Sequence, residues 1–347
     1  MKKLIALLLA VLMVVGLFAG CTETPATTDP VVTDPVATDP VDTTPAVEPV
    51  TLNIAYMPNW GALWAVATGI EKGYFEEEGL KLNLVQFDAG PAEIAAMEQG
   101  SIDIAYIGKG AHKLCPNGTA DILLLQHMGD GDSIIGLGGI TKLEELKGKK
   151  VGYAAGTSSE TILTTALASV GMTMEDIEAV SMDATALTTA ALSGQVDAVA
   201  AWSPMSLTIL DKGTDVTDIC SNVDFATMAS PGSWVVNPDW AAQNADVLVR
   251  FNRAMFKAMD FASAATSDDA VAQEVAGYVA KITGLDAEST IAQRYDGSWL
   301  NSAQVLEMIE SGKLVEYYNN QQVNFGDAAG PLKADEFVLF DLMVNAK

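Results

Sequence analysis

The sequence predicts an α/β protein built as two lobes. Alternating strand and helix patterns run through residues 51–108 and start again over residues 151–202. A glycine-rich passage, "GDGDSIIGLGG", lies between the two series. Because strands that alternate with helices form sheets covered by helices, each series is expected to build its own α/β lobe. The glycine-rich passage is then the crossing between the lobes.

The first series combines three strand patterns with two helix patterns. The strand patterns are "TLNIAYM", "LKLNLVQF" and "SIDIAYIG". Between the first two strands, apolar residues recur at helical spacing until "EKGYFEEEGL" ends the helix at glycine. The segment "PAEIAAMEQG" predicts a second helix, with proline in its first turn.

The second series continues in the same way and leads into a helical C-terminal region. Its strand patterns are "VGYAA", "IEAVSM" and "VDAVAAW", with helices after the first and second strands. From about Val235 the pattern is mainly helical, and we expect this region to return to the first lobe. One helix face there carries Val247, Phe251, Ala254, Met255, Ala258 and Phe261. The lobes are therefore predicted as residues 51–136 with 235–347 (lobe 1) and residues 137–234 (lobe 2).

The N-terminal residues 1–20 have the pattern of a secretory signal peptide. Two lysines precede an apolar stretch that ends in "LFAGC". Small residues followed by cysteine resemble a bacterial lipoprotein signal, in which Cys21 becomes the lipidated first residue. The signal predicts an extracytoplasmic protein that is anchored to the bacterial cell membrane through the lipid on Cys21.

Residues 21–50 are predicted to be a disordered tether. Their composition is dominated by threonine, aspartate, proline and valine, as in "TDPVVTDPVATDPVD". Such a segment cannot bury a core, and its prolines favour extended polyproline II of about 3.1 Å per residue. A tether of this kind gives the lobes freedom to move relative to a membrane.

Charge and cysteine content narrow the classes of partner. The formal net charge of −26 makes nucleic acid an improbable partner, and we expect none. Cys115 and Cys220 are the two cysteines left after lipidation. They are able to pair or to stay free, and the free state is favoured because a free cysteine packs as a small hydrophobe.

Several segments, in order, resemble one family of proteins. They are "GYFEEEGLKLNLVQF", "AAMEQGSIDIAYIG", "LKGKKVGYAAGTSSETIL", "ALSGQVDAVAAWSP" and "WVVNPDWAAQNADVLVRFNRAMFKAM". The chain resembles the substrate-binding lipoproteins of ABC importers in the nitrate, sulfonate, taurine and bicarbonate group. The resemblance implies a hinged, two-lobed periplasmic binding protein type II fold, a ligand cleft between the lobes, and delivery to a membrane permease. We expect a monomer without a cofactor.

Candidate ligand contacts follow the predicted strands, because ligands of open α/β sheets collect beyond the carboxyl ends of strands. Asn59 offers a hydrogen bond and Trp60 an aromatic wall, although a turn with a packed tryptophan explains "PNWG" equally well. Lys109 is the cation expected to face the cleft, unless it is solvated surface. Trp202 and Ser203 follow a strand of the second lobe, and matching positions in the resembled family often border the ligand.

A cluster of hydroxyl side chains precedes the helix after "VGYAA". Thr157 and Glu160 have the spacing of a capping box, which explains both residues without a ligand. Ser158 and Ser159 are then first-turn positions beside free amides and the positive helix end. We predict that these two serines contact a ligand while Thr157 holds the turn and borders the same site.

Few residues support catalysis or metal binding. The chain has two histidines, no serine nucleophile elbow and no histidine pair at metal-binding spacing, so we expect a binding protein and not an enzyme. The segment "HMGDGD", from His127 to Asp132, groups three potential metal ligands, but glycine-aspartate turns more often serve as crossings. His112 is either a cleft residue or surface, and Asp183 is expected to cap the following helix.

Three alternatives remain at this stage. The resembled group also includes binders of thiamine-pyrimidine and flavin precursors, and its enzymatic relatives are thiamine pyrimidine synthases. The chain lacks the cysteine cluster of those enzymes and carries an export signal. A tethered sensor or adhesin is the third alternative.

Arginine positions limit the charge of the solute. The three arginines, Arg250, Arg253 and Arg294, all lie in the C-terminal helical region, so the second lobe has none for a bidentate clamp. The predicted ligand is therefore a small, singly charged, zwitterionic or neutral organic solute, such as a sulfonate, taurine or nitrate-like molecule.

Overall fold

A computed structural model describes residues 49–225, 229–326 and 329–347. The predicted signal peptide, the lipidation site Cys21 and residues 22–48 of the predicted tether lie outside these residues. The C-terminal limit of the tether was wrong, because Val50 already belongs to a strand: it pairs with Leu80, and its backbone N–H donates to the Gly79 carbonyl at 2.9 Å.

The described residues form strands that assemble into two sheets. In chain order the strands are β1 (Val50–Tyr56), β2 (Leu80–Gln86), β3 (Ile104–Ile107), β4 (Asp121–Gly129), β5 (Ser133–Leu137), β6 (Lys150–Tyr153), β7 (Glu178–Ser181), β8 (Ala198–Ala201), β9 (Val216–Ser221), β10 (Ser230–Val236) and β11 (Gly297–Trp299). The first sheet has the order β11-β4-β10-β3-β1-β2 and the second has the order β7-β6-β8-β5-β9. The prediction of two α/β lobes is confirmed.

Each sheet combines a parallel part with antiparallel strands. In the first sheet β1 is parallel to β2 and β3, whereas β10 is antiparallel to β3 and β4. In the second sheet β6 is parallel to β7 and β8, whereas β5 is antiparallel to β8 and β9. The parallel strands are those predicted from the βα patterns, and β4, β5, β9, β10 and β11 are the strands that the patterns did not reveal.

Helices cover the sheets. In chain order they are α1 (Trp60–Glu71), α2 (Tyr74–Glu77), α3 (Gly90–Glu98), α4 (Ser158–Ser169), α5 (Ala184–Leu192), α6 (Met205–Lys212), α7 (Pro238–Gln243), α8 (Ala245–Ala262), α9 (Asp269–Thr283), α10 (Ala287–Ala292), α11 (Ser302–Glu310), α12 (Lys313–Val323), α13 (Ala334–Phe337) and α14 (Phe340–Val344). A 3-10 helix over Lys109–Leu114 follows β3. Within the described part of the chain, no helix has both the length and the apolar character needed to cross a membrane.

The chain crosses between the two sheets earlier than predicted. The predicted boundary after residue 136 falls inside β5, which pairs within the second sheet, and the boundary after residue 234 falls inside β10, which pairs within the first. The glycine-rich passage does contain a crossing, at residues 130–132. The return crossing lies between β9 and β10.

The C-terminal helices complete the first lobe, as predicted. Phe251, Ala254, Met255 and Ala258 of α8 are buried in the same apolar core as strands β1, β3 and β4. The core of the second lobe is separate, with Val151, Ile162 and Ala200 among its buried residues. Cys115 is buried in the first core and Cys220 packs against the second, and both thiols are free.

A buried hydrogen-bond chain fixes the 3-10 helix after β3 to strand β10 and helix α12. The His112 ring bonds the Gly108 carbonyl through Nδ1 at 2.8 Å and the Ser233 hydroxyl through Nε2 at 2.9 Å. Ser233 Oγ lies 2.7 Å from the Tyr318 hydroxyl. Burial lowers the pKa of His112 to about 4, so the ring is neutral and its Nδ1–H donates to Gly108. The Ser233 hydroxyl then donates to Nε2 and accepts from Tyr318.

Replacing Ser233 by alanine should destabilise the first lobe. Both His112 Nε2 and the Tyr318 hydroxyl lose their shared buried partner, so we expect the free energy of unfolding to fall by about 1 to 3 kcal/mol. Urea unfolding measures this change. Ser101→Ala is the control, because the Ser101 hydroxyl donates to the Ala96 carbonyl on an exposed turn. An effect of Ser233→Ala no larger than that of the control contradicts the assigned network.

Candidate functional site

A cavity lies between the two lobes, where the parallel strands of both sheets end. Its empty volume is about 720 Å³, including the open solvent at its mouth. Segments that follow β1, β2 and β3 line it from the first lobe, and segments that follow β6 and β8 line it from the second. Both lobes therefore contribute side chains to one cleft.

Six of the eight predicted ligand residues line this cavity, and two do not. The six, whose role in binding stays a prediction, are Asn59, Lys109, Thr157, Ser158, Trp202 and Ser203. Trp60 and Ser159 are fully buried and absent from the lining. His112, whose position the sequence left open, is buried in the hydrogen-bond chain beneath the site and does not line it either.

Trp60 belongs to the core, and Trp299 occupies the wall that the sequence assigned to Trp60. As the first residue of α1, Trp60 points away from the cleft and packs edge-on against Trp299, with ring centroids 6.2 Å apart. Asn59 is the N-cap of the same helix, where its Oδ1 accepts from the Ala62 N–H at 2.8 Å. Asn59 both caps α1 and lines the cavity, because the start of α1 faces the cavity.

The start of α4 is held by Thr157 and Ser159 through different bonds from those predicted. Thr157 is the N-cap, donating to the Ala154 carbonyl at 2.7 Å and accepting from the Ser159 N–H at 3.2 Å. Ser159 Oγ accepts from the Ala154 N–H at 3.0 Å and donates to the Ala200 carbonyl at 2.8 Å, which ties the turn to β8. Ser159 was therefore wrongly placed in the site, because its hydroxyl is consumed between two backbone groups.

Glu160 at the start of α4 and Asp183 at the start of α5 also depart from the predicted capping. Glu160 accepts from the Gly156 N–H at 2.7 Å, one residue before the amide that a standard capping box uses. Asp183 occupies the N-cap position of α5, but its side chain accepts no capping hydrogen bond. The exposed carboxylate of Asp183 is thus free to point into solvent instead of to the helix.

Asp132, which the sequence suggests as a potential metal ligand or as part of a crossing, was not predicted to line the ligand cavity. It lies in the crossing from β4 to β5, is 4% exposed and lines the cavity. Its Oδ1 accepts from the Ser158 hydroxyl at 2.7 Å, and its Oδ2 accepts from the Ser230 hydroxyl. Ser158 belongs to the second lobe and Ser230 opens a strand of the first, so one carboxylate is bonded from both lobes.

The return crossing is tied to Asp132 through Asn222. The Asp132 N–H donates to Asn222 Oδ1 at 3.2 Å, and the Asn222 N–H donates to the Asp132 carbonyl at 3.0 Å. The Asn222 side-chain amide also donates to the Gly129 carbonyl at 2.8 Å. Because Asn222 stands just after β9, these bonds join the two crossings into one unit.

A second carboxylate, Asp296, lines the cavity just before β11. Its Oδ2 accepts from the Ser203 hydroxyl of the second lobe, and its backbone carbonyl accepts from the Asp130 N–H at 2.8 Å. Burial, together with the nearby charges of Asp130 and Asp132, raises the pKa of Asp296 to about 6, against the opposing effect of the bond from Ser203. Burial also raises the pKa of Asp132, which the two serines and Lys109 oppose.

Lys109 provides the positive charge of the cavity. Its side chain is 0% exposed, and burial lowers its pKa to about 8 while Asp132 acts in the opposite direction. The ammonium group therefore remains mostly protonated at neutral pH. No arginine of the described residues lines the cavity, as the sequence predicted for the second lobe.

Aromatic rings form the apolar wall. Tyr106 stacks on His127 with centroids 6.0 Å apart, and His127 packs on Trp299 at 4.6 Å. Burial lowers the pKa of His127 to about 3, so this ring is neutral, and its Nδ1 has no hydrogen-bond partner among the described residues. Trp202 adds a ring from the second lobe.

Within the described ranges no three metal-ligating side chains come together, so the "HMGDGD" segment places His127 and Asp132 in the lining without forming a metal cluster.

The comparison with known proteins decides the family. Residues 63–267, more than half of the chain, match the family described as NMT1/THI5 like. The chain belongs to the NMT1/THI5-like family. The resemblance predicted from the sequence is confirmed, because relatives of this NMT1/THI5-like chain include proteins named as taurine-binding and aliphatic sulfonates-binding.

Three relatives show how far the similarity extends. A Brucella abortus (strain 2308) chain named as a binding protein is 27% identical over 296 residues, covering 84% of this chain and 91% of that one. The taurine-binding periplasmic protein of Escherichia coli (strain K12) is 22% identical over 214 residues, covering 61% and 66%. The crystal structure of the periplasmic aliphatic sulphonate binding protein SsuA from Escherichia coli has a TM-score of 0.63 at 20% identity, covering 86% and 100%. These relatives support a solute-binding function, and the structural likeness shows the two-lobed periplasmic binding protein fold.

The lobes of this NMT1/THI5-like chain also touch directly beside the cavity. Gly110 of the 3-10 helix approaches Thr157 so closely that a Cβ on Gly110 would lie 2.1 Å from the Thr157 carbonyl carbon and 2.4 Å from its Cα. Backbone atoms, which cannot rotate away, make this contact. Only glycine at residue 110 allows the lobes to meet in this way.

Replacing Gly110 by alanine should hold the lobes apart. We expect a larger radius of gyration in small-angle X-ray scattering, with a melting temperature close to that of the wild type, because each lobe keeps its own core. Gly108→Ala is the control, since a Cβ there meets no atom within 4 Å. A Gly110→Ala protein as compact as the control contradicts the steric role of this contact.

Proposed function

We propose that this chain is the extracytoplasmic solute-binding lipoprotein of an ABC importer. It captures a small organic solute when the two lobes close and delivers it to the permease, as a monomer and without catalysing a reaction. The observation that carries the proposal is the cavity between the strand ends of two lobes, lined by polar side chains of both. The relatives, which are named as binding proteins, support the same function.

The lining favours a neutral, zwitterionic or cationic solute over a strong anion. Lys109 is the one lysine or arginine among the described residues of the lining, whereas Asp132 and Asp296 contribute two carboxylates. The hydroxyl of Ser158, which the sequence assigned to ligand contact, already donates to Asp132. Among the expected classes, a thiamine-pyrimidine precursor or a zwitterion such as taurine therefore suits the cavity better than nitrate.

The membrane anchor is proposed from the sequence motif around Cys21. A Cys21→Ala protein should leave the membrane fraction of cells and appear in the soluble extracytoplasmic fraction, because it cannot be lipidated. Cys220→Ala is the matched control and should stay with the membrane, since Cys220 is a free thiol inside the second lobe. Fractionation followed by immunoblotting measures both. Equal membrane retention of the two variants contradicts lipid anchoring at Cys21.

Solute capture tests the binding function directly. The protein is purified from its own cells without denaturation and then unfolded, and released small molecules are identified by mass spectrometry. Adding the identified compound back should raise the melting temperature with concentration, because ligand at about 100 times Kd stabilises the native state by about 2.7 kcal/mol. Gly110→Ala protein should retain less solute. If neither released compounds nor fractions of a small-molecule extract raise the melting temperature, the proposed function fails.

A further inference from the structure

We propose that the cavity selects solutes that carry a cationic nitrogen group, which the carboxylates of Asp132 and Asp296 bind. This inference rests on the proposed solute-binding function and deepens it by naming the chemical class of the solute. It runs against the sulfonate names of several relatives, so it separates this chain from them.

The two carboxylates have unused capacity to accept hydrogen bonds. Each oxygen of Asp132 accepts one serine hydroxyl, and Asp296 accepts one through Oδ2. An ionised carboxylate offers about four acceptor positions, so both groups are able to accept further donors from a solute. The serines are neutral donors and compensate little of the negative charge that is buried with the carboxylates.

The charge of the lining is unbalanced in the direction of a cationic guest. Asp132 and Asp296 face one ammonium group, that of Lys109, in the described part of the cavity. Asp130 interacts electrostatically with both carboxylates, and its buried Oδ1 has no hydrogen-bond partner among the described residues. Burying an uncompensated charge is costly, and a solute that brings one positive charge into the closed cleft removes this cost. A sulfonate adds a further negative charge instead.

The start of helix α4, a position that normally suits a bound oxyanion, already has the Asp132 carboxylate as its partner. The first turn of α4 has a positive end, and Ser158 in that turn donates to Asp132. The carboxylate of Asp132 thus stands where the oxyanion of a solute would be expected. No arginine of the described lining is available to replace this interaction.

The aromatic wall fits the same class of solute. Tyr106, Trp202 and Trp299 line the cavity, and the face of such a ring attracts an ammonium or amidinium group. His127 adds a neutral, more than nine-tenths buried ring whose Nδ1 has no partner in the described residues. A compact amine or amidine on an apolar body therefore finds both a charge partner and a packing surface.

Matched probes of opposite charge test the proposal on the full-length protein. Benzylamine, benzamidine and phenethylamine are compared with benzenesulfonate and benzoate by thermal shift and titration calorimetry. We expect at least one amine or amidine to raise Tm by about 2 °C or more at about ten times its Kd, and the benzenesulfonate and benzoate probes to give no shift. Stabilisation by benzenesulfonate or benzoate, or by none of the nitrogen probes at about 10 mM, overturns the proposal.

Single substitutions identify the carboxylates as the direct partners. Asp296→Asn and Asp132→Asn should each weaken binding of the amine that binds wild type by roughly 30-fold or more. Asp183→Asn is the matched control, because it removes the same charge from the exposed start of α5 and should leave the affinity unchanged. If either site variant folds but leaves the affinity unchanged, the direct role of that carboxylate is overturned.

The pH dependence of amine affinity distinguishes a carboxylate that contacts the solute from one that only supports the structure. The groups that face Asp296 are the Ser203 hydroxyl and the carboxyls of Asp130 and Asp132, with Lys109 next to Asp132. The Asp296 pKa of about 6 means that protons compete with a cationic solute below this pH, whereas an alkylamine stays protonated. Amine affinity should fall as pH drops through 6, and less steeply in Asp296→Asn. An equal slope in both proteins overturns the direct contact.

Fractionating a small-molecule extract separates this proposal from the function on which it rests. The extract is divided into a fraction retained by a cation exchanger and a fraction that passes through, and both are tested for a rise in Tm. Stabilisation by the retained fraction supports the cationic class. Stabilisation only by the other fraction overturns the cationic class but leaves solute binding intact, whereas silence of both fractions counts against both.

Discussion

The hydrogen bonds of Asp132 hold the two lobes together at the point where the chain passes from one to the other. Its carboxylate accepts from Ser158 of the second lobe and from Ser230 of the first, and its backbone bonds Asn222 of the return crossing. Nearby, the backbone of Gly110 in the first lobe packs directly against the backbone of Thr157 in the second lobe. The shape of the cavity depends on these contacts, because Asp132, Ser158, Ser230 and Thr157 all line it.

The same carboxylate also sets the electrostatics of the cleft. In a buried site a charged group is tolerated when its partners are close, and the partners of Asp132 are two hydroxyls and the field of Lys109. Asp296 likewise accepts a hydrogen bond from a serine hydroxyl, that of Ser203. A fold that relatives use for sulfonate and taurine thus carries here a lining whose buried charge is mainly negative. The fold sets the location of the cleft, and the proposed preference for a cationic group rests on the carboxylates of Asp132 and Asp296.

Local patterns were sufficient to predict the parallel strands, their helices and the family, because a βα unit is specified by nearby residues. Strand β10 escaped prediction, since Pro231 and Gly232 favour turns and its partners in β3 and β4 lie about a hundred residues earlier. Asp132 escaped for the same reason: Ser158 and Ser230 are 26 and 98 residues away. Trp60 was misplaced because spacing alone does not tell which face of α1 meets the cleft.

The bonds of Asn222 to Asp132 and Gly129 have a mechanical consequence. Because they couple the outgoing crossing to Asn222 at the start of the return, we expect a rotation of one lobe to twist both connections together, essentially about one axis. Two fluorescent dyes, one on each lobe, would therefore follow the whole motion through a single distance. This coupling makes the chain a suitable scaffold for an optical biosensor, in which energy transfer between the dyes reports occupancy without a label on the solute.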